Sequence, residues 1–298
     1  MSLAQEPART ERCSRLLLFG RRWGWLAVLL AGLLLFWLIH AALVSTRNPN
    51  LVPALIFFGA ALVPAAFVAF VAGRRLDFGV GMGVVGATAL AGGAIGVTTA
   101  GFLEYRTLLL MDFLPMVAVG LIEEAAKLIV PFLLVLIIRA RHPGDGLLIG
   151  VASGAGFAVF ETMGYAFVEL LNSNGDLTTV DHLLVVRGLL SPAAHMAWTG
   201  LTSAALWSAT AAQRHHRKRA IAVFFLVYAV AVALHAAWDS FNSDTAYVIL
   251  AALSLSFLIY ATHRLATPRV SADSAVPTPG LRGSSPSTAP VRRSSDRS

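Results

Sequence analysis

The chain has 298 residues, 57% of them hydrophobic and only 13% charged, with a mean hydropathy of +0.71. A soluble domain carries roughly a quarter charged residues, so this composition excludes an ordinary soluble protein. The net charge of +7 gathers in short clusters between apolar runs, which fits membrane topology and not a nucleic-acid partner.

The first stretch, 1–21, reads as a polar N-terminal tail with Arg9, Arg12, Arg15 and Arg21. It holds the single cysteine, Cys13, so no internal disulfide is expected. The apolar run 23–44 is too long for the core of a signal peptide and no small-x-small cleavage pattern follows it. It reads as a first transmembrane helix. Runs of about 20 residues, the length a helix needs to cross hydrocarbon, then recur. The expected spans are 22–44, 51–73, 79–102, 113–138, 146–171, 182–211, 219–241 and 245–264.

Lys and Arg alternate between rich and poor connections along this series. After the N-terminal cluster comes Arg47 alone, then Arg74 and Arg75, then Arg106 alone, then Arg139 and Arg141. The connection 172–181 has neither residue, Arg214, Arg217, Lys218 and Arg219 follow, 241–245 has neither, and Arg264 and Arg269 come last. The positive-inside rule then puts both termini in the cytoplasm and requires an even number of crossings. The stretch 265–298 is rich in Ser, Pro, Thr and Arg and cannot bury enough apolar surface to fold, so a disordered cytoplasmic tail is expected. Small residues four apart, Gly79, Gly83, Gly92 and Gly96 and then Gly146, Gly150 and Gly154, predict close helix packing. The expectation is an all-α, polytopic protein of the plasma membrane with about eight transmembrane helices in a domain spanning 22–264, N-in and C-in, surrounded by lipid.

Ionisable side chains in mid-bilayer are costly and face the bundle interior. Here they concentrate on four consecutive spans: Glu123, Glu124 and Lys127, then Glu161, then His195, then His235 and Asp239. Counted from the outer ends, Glu124, Glu161, His195 and His235 lie between about 9 and 20 Å below the outer surface at about 1.5 Å per residue, with Asp239 at the upper edge of that layer. They therefore share a layer although the helices alternate in direction. Glu123 and Glu124 stand at i, i+4 and i, i+3 from Lys127, so Lys127 can pair with either. Asp239, four residues after His235, can orient its ring. Arg187 near an outer end can snorkel, Glu169 and His182 read as interfacial, and His40 lies near a helix end.

Such a layer suits peptide hydrolysis, with Glu123 or Glu124 as the base for water and His195 and His235 as donors to the oxyanion or leaving amine. It equally suits a divalent metal such as zinc on Glu161, His195 and His235, since two His and a carboxylate form a known catalytic set. A transporter using the same carboxylates for ions or protons is the rival.

The motifs carry a resemblance. Glu123-Glu124-Ala125-Ala126-Lys127 reads E-E-x-x-K, Phe157 to Glu161 reads F-A-x-x-E, His195 to Gly200 reads H-M-A-W-T-G, and His235 to Asp239 reads H-x-x-x-D. In this order, within a core of 110–245, the set resembles the PrsW family of intramembrane proteases, distant relations of the CAAX-processing endopeptidases. The latter carry Arg one position after the place of Lys127 and His where Glu161 stands. The resemblance implies cleavage of a membrane-bound protein substrate, in bacteria an anti-sigma factor, with Glu123, Glu124, Lys127, Glu161, His195, His235 and Asp239 as the working residues.

Overall fold

A computed structural model describes residues 6–74, 78–112, 114–138, 142–241 and 243–266. The helices are α1 (Glu6–Thr46), α2 (Val52–Ala72), α3 (Met82–Met111), α4 (Met116–Lys127), α5 (Ile129–Ile137), α6 (Pro143–Asn172), α7 (Leu177–Leu190), α8 (His195–Ala211), α9 (Arg214–Ser240) and α10 (Asp244–Ala266). No strand occurs among the described residues. Six stretches among them are long and apolar enough to cross a membrane: Arg22–Thr46, Pro49–Ala72, Met82–Met111, Pro143–Asn172, Arg214–Ser240 and Thr245–Leu265. The chain is an all-α, multi-pass membrane protein. Helix α1 starts at Glu6, so it takes in much of the stretch read above as a tail; residues 267–298 lie outside the described ones.

Two of the expected spans are broken. The run 113–138 divides into α4 and α5 at Leu128. Pro131 has no N–H to give the carbonyl of Lys127 one turn back, and a proline ring clashes there in a regular helix. The hydroxyl of Ser153 on α6 donates to the Lys127 carbonyl instead, at 2.7 Å. A carbonyl freed by the break is thus satisfied where no water would reach it. The run 182–211 divides into α7 and α8 around a 3₁₀ turn, Ser191–Ala193, that contains Pro192. Helix α7 also begins earlier than expected, capped by the Asp176 side chain, which accepts from the Thr178 N–H at 2.8 Å. The second break makes His195 the first residue of α8, so the turn sets where its side chain begins.

The helix α6 forms the core. Every residue from Gly144 through Ala158 is buried, as expected of a helix that is apolar all round. Lipid is as apolar as a leucine side chain, so burial alone does not drive helices together in a membrane; close backbone approach and dispersion do. Gly146, Gly150 and Gly154 supply that approach. A Cβ on any of them would run into α8, at the carbonyls of Ser203, Thr199 and His195 respectively. The falling α8 numbers against rising α6 numbers show that the two helices run antiparallel. On another side α3 runs parallel to α6, with Gly92 against Ser153, Gly93 against Gly156 and Gly96 against Phe157. Gly83, also expected on this seam, faces open space. Asp145, buried at the start of α6, accepts the N–H of Gly79 at 2.6 Å and ties the α2–α3 connection to the core.

Candidate functional site

Helix α4 presents Glu123, Glu124 and Lys127 on one face towards α6 and α9. Lys127 is fully buried, Glu124 is 1% exposed and Glu123 7%. The spacing of three and four residues lets one ammonium serve both carboxylates: Lys127 Nζ lies 3.0 Å from Glu123 Oε2 and 2.8 Å from Glu124 Oε1. Its ammonium rests over the ring of Phe157, with Nζ 4.3 Å from the ring centre. A cation on an aromatic face gains electrostatically, more so without water.

The α9 helix closes on α4 at Gly120, where a Cβ would meet the Val232 carbonyl and the Cβ of His235. Tyr228 adds a hydrogen bond to the Leu121 carbonyl at 2.8 Å. This contact brings His235, 2% exposed, onto the Glu pair. His235 Nδ1 lies 2.8 Å from Glu124 Oε1, while Nε2 lies 3.3 Å from Asp239 Oδ2 and 3.5 Å from Glu123 Oε2. Both ring nitrogens therefore face carboxylate oxygens. The ring stands 5.2 Å from that of Trp198, whose indole N–H is held by Ser254 of α10 at 2.9 Å.

A second group sits beside the first. Glu161, one turn beyond Phe157 on α6, has Oε2 3.1 Å from His195 Nε2 and 2.8 Å from Arg187 Nη2 on α7. Arg187 also bonds Thr162 at 3.3 Å and lies over the Tyr165 ring at 4.1 Å. The Nδ1 of His195 is buried and has no hydrogen-bond partner among the described residues. The two groups meet where the His195 and His235 rings approach edge to face, at 5.7 Å.

All seven residues singled out by sequence fall in this one place, and the Glu, Lys and His235 contacts are direct. Glu161 is not among the contacts of His235; His195 lies between them. Two further residues were not singled out. Arg187 was read as snorkelling, and nothing in the sequence pairs it with Glu161. Glu104 was missed because the third span was ended at 102, whereas α3 continues to Met111. Its half-buried side chain has an Oε1 that is shielded and without a partner among the described residues. His40 and Asp181 meet at 2.9 Å and join α1 to α7.

A family model described as PrsW family intramembrane metalloprotease matches residues 76–263. No curated protein and no solved structure matches the chain. The match spans every residue of the site. The donor types for a metal are present, yet among the described residues no three His, Cys, Asp or Glu side chains are arranged to hold one. His195 gives Nε2 to Glu161, which leaves only Nδ1 free, on the far side of the ring from that carboxylate. Glu161 is thus placed as a carboxylate that supports a histidine, not as a ligand beside its free nitrogen.

Proposed function

The chain belongs to the PrsW family of intramembrane metalloproteases and is a membrane-embedded peptidase, and we propose that it cuts a membrane-anchored protein through the Glu–His layer. By family resemblance, an anti-sigma factor is the proposed type of substrate. The single observation that carries the residue assignment is the joining of Glu123, Glu124, Lys127 and His235 in one buried hydrogen-bonded group.

Peptide hydrolysis requires a base for water, a donor for the developing oxyanion and a proton for the leaving amine. Glu123 is the proposed base. Glu124 is sealed in and its Oε1 already serves both Lys127 and His235, whereas Glu123 is the more exposed of the pair. Glu124 then acts as the anchor that fixes Lys127 and His235. Lys127 keeps two adjacent carboxylates compatible with burial. His235, set by Asp239, supplies a proton next to the base. His195, held at Nε2 by Glu161 and through it by Arg187, keeps Nδ1 unpaired and donates from it to the oxyanion when the ring is protonated. A divalent ion such as zinc would polarise a water oxygen here, and the sequence pattern puts Glu161, His195 and His235 forward as its donors. That set is not gathered in this arrangement, and no step above depends on it.

The proposed topology keeps both termini cytoplasmic, with α4–α5 and α7–α8 each making one broken crossing. The alternation of Lys- and Arg-rich connections supports this. Broken helices at a polar site also occur in transporters. The family match favours hydrolysis. The test is cleavage of membrane-anchored candidates in proteoliposomes by wild type and Glu123→Gln. Loss of the cut in a folded Gln variant is the expected result.

A further inference from the structure

The inner face of α3 leads directly to the site. Gly93 packs on Gly156, Gly96 on the Phe157 ring beside the Ala126 carbonyl, and Ala100 is buried with Ala126 and Phe157. The next position on this ridge, four residues on, is Glu104. Glu161 stands one turn beyond Phe157, and Glu123 about one turn before Ala126, so the same step along α3 brings Glu104 to their level. It lies within electrostatic reach of Glu161, His235, Lys127 and Asp239.

The charges around it do not balance. Five carboxylates, Glu104, Glu123, Glu124, Glu161 and Asp239, face two permanent cations, Lys127 and Arg187. Both cations are engaged elsewhere: Lys127 bonds the α4 pair and Arg187 bonds Glu161. The shielded Oε1 of Glu104 is left without a donor among the described residues. A buried acceptor is costly when unpaired, and far less so when a charged donor reaches it.

We propose that Glu104 is a substrate-binding residue, whose half-buried carboxylate turns its unpaired oxygen to a Lys or Arg side chain of the substrate next to the scissile bond. This rests on the peptidase reading. Long basic side chains suit the task, because their apolar stems run through an apolar layer while the charged end seeks a polar partner. A resident metal is the less favoured partner for Glu104, since no three acidic or His side chains among the described residues are arranged to hold one.

The test measures binding apart from cleavage. Synthetic single-span helices, identical except for Lys or Gln placed at successive positions in the outer third, are titrated into proteoliposomes of the Glu123→Gln protein. A hydrogen bond to a charged group contributes about 1.5–3 kcal/mol, so at one position Lys should bind about tenfold or more tighter than Gln. Adding Glu104→Gln should abolish that preference and leave the Gln peptides unaffected; Glu104→Ser serves in its place if the Gln variant does not fold. In Glu104→Lys the preference should pass to a Glu-bearing peptide. No Lys preference at any position, or one that survives loss of Glu104, overturns the proposal. So does a loss of bound divalent ion in Glu104→Gln with the Lys preference intact. Failure of wild type to cut any bound peptide would count against the peptidase reading, while the binding preference would still stand or fall by itself.

Discussion

Replacing Lys127 by Met removes the one cation that both α4 carboxylates share. Its Nζ makes the 3.0 and 2.8 Å contacts to Glu123 and Glu124, and all three side chains are buried. Removing one partner of a buried ion pair costs about 3–5 kcal/mol, because the remaining charge is left uncompensated. Here two carboxylates are stranded, with His235 as their remaining neighbour of opposite tendency, so a loss at the upper end is expected. Domains are stable by only about 5–15 kcal/mol, so Lys127→Met should unfold at markedly lower temperature in detergent and show no cleavage in proteoliposomes. Lys127→Arg keeps the charge and should be milder, losing mainly the fit over the Phe157 ring. The triple variant Lys127→Met, Glu123→Gln, Glu124→Gln removes charge on both sides. If stranded charge is the cause, the triple should regain most of the stability and none of the activity. A Lys127→Met protein with wild-type melting and cleavage would refute this reasoning, and so would a triple variant no more stable than the single.

The remaining expectations are more direct. A reporter fused after Ser243 should read as extracytoplasmic and one after Arg269 as cytoplasmic; the same side for both would exclude the proposed topology. Gly154→Leu should weaken the α6–α8 seam, because its Cβ would meet the His195 carbonyl, and should lower both melting temperature and cleavage; unchanged melting would show that the seam has slack. Metal analysis should find about one divalent ion per chain, lost in His195→Ala, whereas Glu161→Gln, as a supporting carboxylate, should weaken ion affinity about 10–100-fold without abolishing it; an ion content unaffected by His195→Ala would remove that residue from the ligands.

Much of this protein was legible because a bilayer imposes simple rules. Composition and run length gave the all-α, multi-pass class, and the cost of intramembrane charge singled out Glu123, Glu124, Lys127, Glu161, His195, His235 and Asp239. Spacing of three and four residues also anticipated the Lys127 contacts, since they lie within one helix. Contacts between helices were not legible. Nothing in the sequence assigns Arg187 to Glu161 or the Ser153 hydroxyl to the Lys127 carbonyl, for each depends on how helices approach. Pro131 and Pro192 were visible but lay within apolar runs, so hydropathy read two broken helices as continuous. Glu104 and Arg106 had the opposite effect: their polarity ended a span on paper that the backbone continues to Met111.

The most direct measurement is cleavage of a panel of membrane-anchored substrates in proteoliposomes, at matched protein levels, by wild type and by Glu123→Gln, Glu124→Gln, His195→Ala and His235→Ala, with Glu169→Gln as a partly buried control outside the Glu–His layer. The expected result is a defined cut by wild type and Glu169→Gln and none by the four site variants, each of which remains folded and inserted. Cleavage by all four at the wild-type rate, or a proton or ion flux that depends on Glu123 and Glu124 with no proteolysis by any form, would contradict the assignment of the Glu–His layer as the hydrolytic site.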